Sequence, residues 1–406
     1  MAIGLTTPQN LLAVEGIRLG VAAAGIRYPD RNDLVLIEIA EGSQCAAVFT
    51  KNAFCAAPVL VCREHLAKSA PRYLIINSGN ANAGLGEAGM LASKDSCAAV
   101  AELMSCDAEA VLPFSTGVIG ETFPTQTLID GLPAVKESLL ADNWLPAAEA
   151  IMTTDTIAKG MSERVSIDGK NINITGMAKG SGMIRPDMAT MLAYIATDAN
   201  VSGELLEQAL KQAVNDSFNR ITVDGDTSTN DACLLLATGK AGNEKITDAD
   251  SEQARQLFAA VAKVAKHLSE SIIRDAEGVT KLITIAVEQG GNEAECDAVA
   301  FTVAHSPLVK TAFFAGDPNW GRILAAVGRA GLDSLDVDKV DIYLDDVCIV
   351  KQGGRDPSYT EEAGQAVMQQ EMITVKISLA RGNATTSVQT SDLSYDYVRI
   401  NAEYRS

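Results

Sequence analysis

Hydrophobic and polar residues alternate through the start of the chain, and the alternation predicts short strands at residues 17–24, 34–40 and 45–49. Tyr28-Pro29-Asp30 and Glu41-Gly42-Ser43 read as the turns between them. A continuous apolar run predicts a buried strand at 73–77. The period then lengthens to that of a helix, with helices expected at 89–104, 128–140 and 145–152. Alternation returns at 165–175, folding back at Asp168-Gly169, a pair suited to a tight hairpin turn. The second half repeats this interleaving. Strands are expected at 192–196, 234–238 and 282–287, with helices at 202–218, capped by Ser202, and at 248–273. Further on come helices at 294–305, 323–327 and near 361–370, and strands at 340–343, 347–350, 372–378 and 384–389. No internal repeat, low-complexity stretch or linker breaks the series, so the pattern is that of an α/β protein.

Length changes this picture little: 406 residues, 47% hydrophobic and 21% charged, give ample core material and a prior of two or three domains. Charge changes it more. A net charge of -19 argues against nucleic acid, where a basic face supplies most of the affinity, and against anionic membranes. Eight cysteines are scattered without a CxxC pair or zinc-ligand spacing, the usage of reduced thiols in a cytosolic protein. Residues 1–12 lack the basic and apolar regions of a secretory signal, and no apolar run is long enough to span a bilayer. A cytoplasmic protein with no membrane and no nucleic-acid partner is expected.

The chemistry centres on Ala178-Lys179-Gly180-Ser181-Gly182-Met183-Ile184-Arg185-Pro186-Asp187-Met188-Ala189-Thr190-Met191-Leu192. An alternating strand precedes it and an apolar strand follows, while Gly180, Gly182 and Pro186 require an irregular loop between them. The loop delivers Thr190, behind Ala189, to the first turn of a core strand. Such a threonine is ordinarily structural. If the bond before it is cut, however, the freed α-amine can serve as general base for the residue's own hydroxyl. Ser115-Thr116-Gly117-Val118-Ile119-Gly120 is a small-residue turn able to aim backbone N–H groups at an oxyanion, or simply a tight turn between strand and helix. Two patterns are decoys. Gly84, Gly86 and Gly89 fit GxGxxG, but residues 78–83 intervene between strand and glycines. The oxygen-rich run Asp224-Gly225-Asp226-Thr227-Ser228-Thr229-Asn230-Asp231 lacks the spaced glycine and terminal glutamate of a calcium loop. The three histidines lie outside these stretches, which leaves a Ser-His-Asp triad poorly supported.

Met177-Ala178-Lys179-Gly180-Ser181-Gly182-Met183, followed by Ala189-Thr190-Met191-Leu192, resembles the self-cleavage signature of the ornithine acetyltransferase (ArgJ) family. Ala46 to Thr50, Ala56 to Val59, Asn77 to Ala83, Asn219 to Asp231 and Thr311 to Arg322 are similar to the same family, so the resemblance covers nearly the whole chain. It implies a four-layer α/β/β/α sandwich of the DmpA/ArgJ-like, self-processing N-terminal-nucleophile type. It implies cleavage between Ala189 and Thr190 into chains 1–189 and 190–406 that fold together, two of each forming a heterotetramer.

The implied activity is glutamate N-acetyltransferase, an enzyme of arginine biosynthesis that moves an acetyl group from N2-acetylornithine to glutamate by a ping-pong acetyl-threonine route. Some members also take acetyl from acetyl-CoA as co-substrate. By resemblance Thr190 is the nucleophile, Thr116 and Gly117 form the oxyanion hole, and Thr153, Lys179, Thr190, Glu277, Asn401 and Ser406 bind substrate. Lys179 suits a carboxylate and Glu277 the ornithine ammonium. No cofactor or metal is expected. The alternative is an N-terminal-nucleophile aminopeptidase or amidohydrolase of the same architecture, with water as acceptor.

Overall fold

The computed structural model describes residues 2–185 and 191–404. Its chain divides into two compact units. The larger comprises Thr6–Asn219 and Thr227–Ile272; the smaller gathers the first five residues, Arg220–Asp226 and the chain from Ile273 onward.

The larger unit holds two sheets. One runs Ile17–Ala22, Leu34–Ile39, Tyr73–Asn80, Val111–Val118 in spatial order. The other runs Gln44–Phe49, Ala232–Ala237, Leu192–Thr197, Lys170–Lys179, Lys159–Ile167. Val35, Ile37, Leu74, Ile76 and Phe114 of the first face Met177, Leu192, Tyr194 and Leu234 of the second in one core. Phe114 and Tyr194 meet edge to face, with ring centroids 5.3 Å apart. Every residue of Leu192–Thr197 and of Ala232–Ala237 is buried, as the continuous apolar runs predict for strands covered on both faces. Helices Ala57–Leu66, Glu87–Met104 and Thr125–Glu137 cover the outside of the first sheet. Gly203–Asn215 and the long helix Glu252–Arg274 cover the second. The layers are therefore α/β/β/α, as the resemblance implies.

The smaller unit is a seven-stranded mixed sheet with helices packed on it. Spatial order is Gly354–Arg355, Val347–Lys351, Asp341–Leu344, Met372–Ser378, Leu282–Gly290, Ala384–Ser391, Ile221–Thr222. Ile283, Ile285 and Val287 turn inward at every second position, against Val299, Val303, Phe313, Ile323 and Met368 from Glu293–Ala304, Pro307–Ala315, Trp320–Gly328 and Glu361–Met368. The boundary between units falls elsewhere than at position 190.

The structure adds to or alters the local expectations, notably in the following segments. The segment 57–66 is a helix opened by Pro58 at its first turn. Thr311–Ala315 lies in a further helix, Pro307–Ala315. A C-terminal helix, Tyr395–Ala402, is capped by the Ser394 side chain, which accepts from Tyr397 N. Ser115–Val118 continues a strand instead of turning out of it.

Candidate active site

The oxyanion candidates sit where two parallel strands end. Tyr73–Asn80 and Val111–Val118 pair so that Ser78 lies opposite Thr116 and Gly79 opposite Gly117, with a bulge at Asn80. Gly117 has φ +134°, and a Cβ there would lie 2.3 Å from the Gly79 carbonyl carbon. Only glycine fits. Asn230 fixes this end of the sheet: its Nδ2 donates to Ala81 O (2.6 Å) and Ser115 O (2.9 Å). Ser78 Oγ reaches across to Ala150 O (2.7 Å), tying Thr116's neighbour to the helix Trp144–Ala150 that leads into Thr153.

Thr153 and Lys179 come together. Lys179 ends the strand Lys170–Lys179, and its Nζ donates to Thr153 Oγ1 at 2.8 Å. Both are organised by Asp155, which accepts from Thr153 N (3.1 Å), Gly180 N (2.7 Å) and Lys159 Nζ (2.7 Å), with Lys179 Nζ 3.9 Å from its Oδ2. Burial by itself would raise this carboxyl's pKa. The ammonium groups of Lys159 and Lys179, with the bonds from Lys159 and Gly180, overcome burial and hold it well below the usual carboxylate range. Asp231, next to Asn230, behaves oppositely: burial pushes its pKa well above the usual value against Ser228 and Lys179, and its Oδ2 has no hydrogen-bond partner among the described residues.

The strand that resumes after position 190 pairs with the one that carries Lys179: Leu192 lies opposite Lys179, and Ala193 opposite Ala178. Ala189 and Thr190, the expected cleavage site and nucleophile, lie outside the described residues, as does Ser406.

In the smaller unit Glu277 is buried and Asn401 Nδ2 donates to its Oε2 at 2.7 Å. The structure thus brings together Thr153 with Lys179, and Glu277 with Asn401. Asp155 and Asn230 are the organising residues that sequence reading passed over. Asp155 lies in the polar run Met152–Thr156, whose composition is that of a turn. Lys159 follows Asp155 by one helical spacing, but Lys179 comes only at the end of a later strand, so the sequence carries no signal for the pair. The GxGxxG pattern is dismantled, since Gly89 lies inside the helix Glu87–Met104.

The ArgJ family model matches residues 18–406. The chain belongs to the ArgJ family. It is 56% identical over 407 residues to an "Arginine biosynthesis bifunctional protein ArgJ" of Psychrobacter arcticus, spanning 100% of both chains. It is 53% identical over 406 residues to the protein of that name from Pseudomonas fluorescens, again across 100% of both. Among solved structures it is similar to the ArgJ bifunctional protein of Bacillus halodurans, with 39% identity over 52% of this chain and 98% of that one, at a TM-score of 0.49. All eight cysteines are free, and no single described helix is long and apolar enough to cross a membrane.

Proposed function

We propose that this ArgJ-family chain is a glutamate N-acetyltransferase of arginine biosynthesis, taking the acetyl group from N2-acetylornithine and giving it to glutamate. The family match across residues 18–406 carries this reading. Relatives that match end to end bear the word bifunctional, which supports acetyl-CoA as a second donor.

In this reading Thr190 attacks the carbonyl of Ala189, and the resulting ester is hydrolysed to leave chains 1–189 and 190–406. The mature Thr190 hydroxyl then attacks the acetyl carbonyl of N-acetylornithine. Its α-amine takes the hydroxyl proton and passes it to the leaving amine. Thr116 and the Gly117 backbone stabilise the oxyanion. Thr153 and Lys179 receive the substrate's carboxylate, while Glu277, Asn401 and Ser406 complete the binding groups. Glutamate takes the acetyl group in a second, mirror-image step. The pairing of Lys179 with Leu192, two residues past Thr190, supports this placement. No step calls for a metal or cofactor. Processing, a cytoplasmic location and a heterotetramer of two chains of each kind belong to the same proposal.

The test is Thr190→Ala. Its intact mass is expected to be that of one uncut chain, with no acetyl transfer, whereas the parent gives two fragments. A fragmented Thr190→Ala protein would refute the assignment. Incubation of the parent with N-acetylornithine, with and without glutamate, separates transfer from hydrolysis: ornithine release should require the acceptor.

A further inference from the structure

Lys310 lies in the helix Pro307–Ala315 of the smaller unit and is 5% exposed. Its Nζ donates to Thr390 Oγ1 (3.0 Å), to Ser391 O and to Ser391 Oγ (3.5 Å). Among the described residues no carboxylate stands at ion-pair distance from it. A buried ammonium without a direct counter-ion is costly, and a methionine would fill the same space without that cost. The question is what the charge does.

Two hydrogen-bonded arms run from the surroundings of Lys310 to Glu277. The first passes through the strand end it grips. Ser391 precedes Asp392, which accepts from Thr280 N (2.9 Å), Thr280 Oγ1 (2.5 Å) and Lys281 N (3.0 Å). Leu393 N donates to Lys310 O (3.3 Å), and Ser394 Oγ donates to Gly278 O (2.6 Å). The loop that follows Glu277 is therefore clamped from 278 to 281. The second arm starts at Asp224, whose Oδ2 accepts from Tyr397 Oη (3.2 Å). Tyr397 O and Glu277 Oε2 both accept from Asn401 Nδ2, at 3.0 and 2.7 Å. Asp392 and Asp224 are the charges that act on Lys310. Around the same loop, His305 packs against Gly225 and bonds Thr222 through Nε2 (2.9 Å), while Glu277 and Asp226 add negative charge at Tyr397.

We propose that Lys310 is a positioning residue for the Glu277–Asn401 pair: its buried ammonium grips the strand end at Thr390 and Ser391, and Asp392, next along the chain, fixes the loop that presents Glu277 to substrate. Glu277 and Asn401 as substrate contacts come from the proposed function, on which this inference rests. Burial lowers the Lys310 pKa to about 8, against the pull of Asp392 and Asp224. The charge is thus present at neutral pH and lost as the pH rises through about 8. Its loss weakens the grip on Thr390 and Ser391 that holds this strand end.

Steady-state transfer from N-acetylornithine to glutamate, measured with the full chain between about pH 6 and 9.5, decides the matter. Lys310→Met is expected to raise KM for N-acetylornithine about tenfold at pH 7, with kcat within about threefold and no loss in melting temperature. The parent's kcat/KM should decline above pH 8, and the variant should lack that decline. The Thr190 α-amine cannot mimic this limb, since a general base gains activity as it deprotonates. Glu277→Gln should raise KM as well, and Lys310→Met added to it should change little more. If Glu277→Gln raises KM while Lys310→Met keeps the parent's KM and alkaline limb, the role of Lys310 is overturned and the substrate reading survives. If Glu277→Gln leaves KM unchanged, the substrate reading falls and this inference falls with it. Should Lys310→Met not fold, the parent's own profile decides, and the absence of an alkaline limb refutes the proposal.

Discussion

Two buried lysines in the larger unit share one carboxylate. Lys159 is 2% exposed and Lys179 9%, and both turn their ammonium groups to Asp155. Desolvating three charges is tolerable only while the set stays complete. Asp155→Asn keeps the shape and removes the charge that both buried ammonium groups face. A loss of about 3–5 kcal/mol at pH 7 is expected from denaturant unfolding. A loss below about 1 kcal/mol would show that water or backbone dipoles already screen the lysines. The sign of the pH dependence follows from the depressed pKa of Asp155. Its contribution is complete above the carboxyl's unfolded-state pKa and disappears only as the pH falls through the lower folded-state value. The gap between parent and variant should therefore be flat from about pH 5 to 8. The chemistry of this cluster was half legible. Thr153 and Lys179 were singled out, whereas the partner that orients them was not, because nothing in the spacing of Asp155 separates a counter-ion from a turn residue.

At the scale of the element, the strand Val111–Val118 shows how a sheet end is shaped by its partner strand. A turn was expected at Ser115–Gly120, yet the strand continues through Gly117 because its partner bulges at Asn80 to meet it. Gly117→Ala would force a methyl group to within 2.3 Å of the Gly79 carbonyl carbon, with backbone on both sides unable to move cheaply. The variant should lose about 100-fold or more in kcat and about 1–3 kcal/mol in stability. Near-parental turnover would remove this strand end from the oxyanion hole. Helix 57–66 escaped the pattern for a related reason. Ala56-Ala57-Pro58-Val59 reads as extended when proline is taken as a strand-edge residue, and as a helix start when it is taken as the first-turn residue. Packing decides: Val61 and Cys62 are buried in the clusters that hold the first sheet's strands.

At the scale of the molecule, the five-stranded sheet of the larger unit joins material from both sides of position 190. Gln44–Phe49, Lys159–Ile167 and Lys170–Lys179 precede it, and Leu192–Thr197 and Ala232–Ala237 follow it. Leu192–Thr197 is hydrogen-bonded on both edges, to Lys170–Lys179 and to Ala232–Ala237. Cutting the chain before Thr190 removes one peptide bond and none of this pairing. The two fragments of processed protein should co-elute as one species in native gel filtration and part only in denaturant. Separation without denaturant would mean that the shared sheet does not survive cleavage.

The sequence by itself determined the alternation that makes most of the strands, the apolar runs that bury Leu192–Thr197 and Ala232–Ala237, and the motif that marks Thr190. These depend on side-chain period and local backbone preference, which are written in neighbouring residues. It also carried the family, because the signature residues recur in order along the chain. Only the tertiary structure decided that Asp155 serves two lysines, that Asn230 grips the end of the Thr116 strand, and that Lys310 lies buried near two arms leading to Glu277. Most of these relations join residues far apart in sequence, and their energy comes from desolvation, which exists only once the chain has closed around the charges.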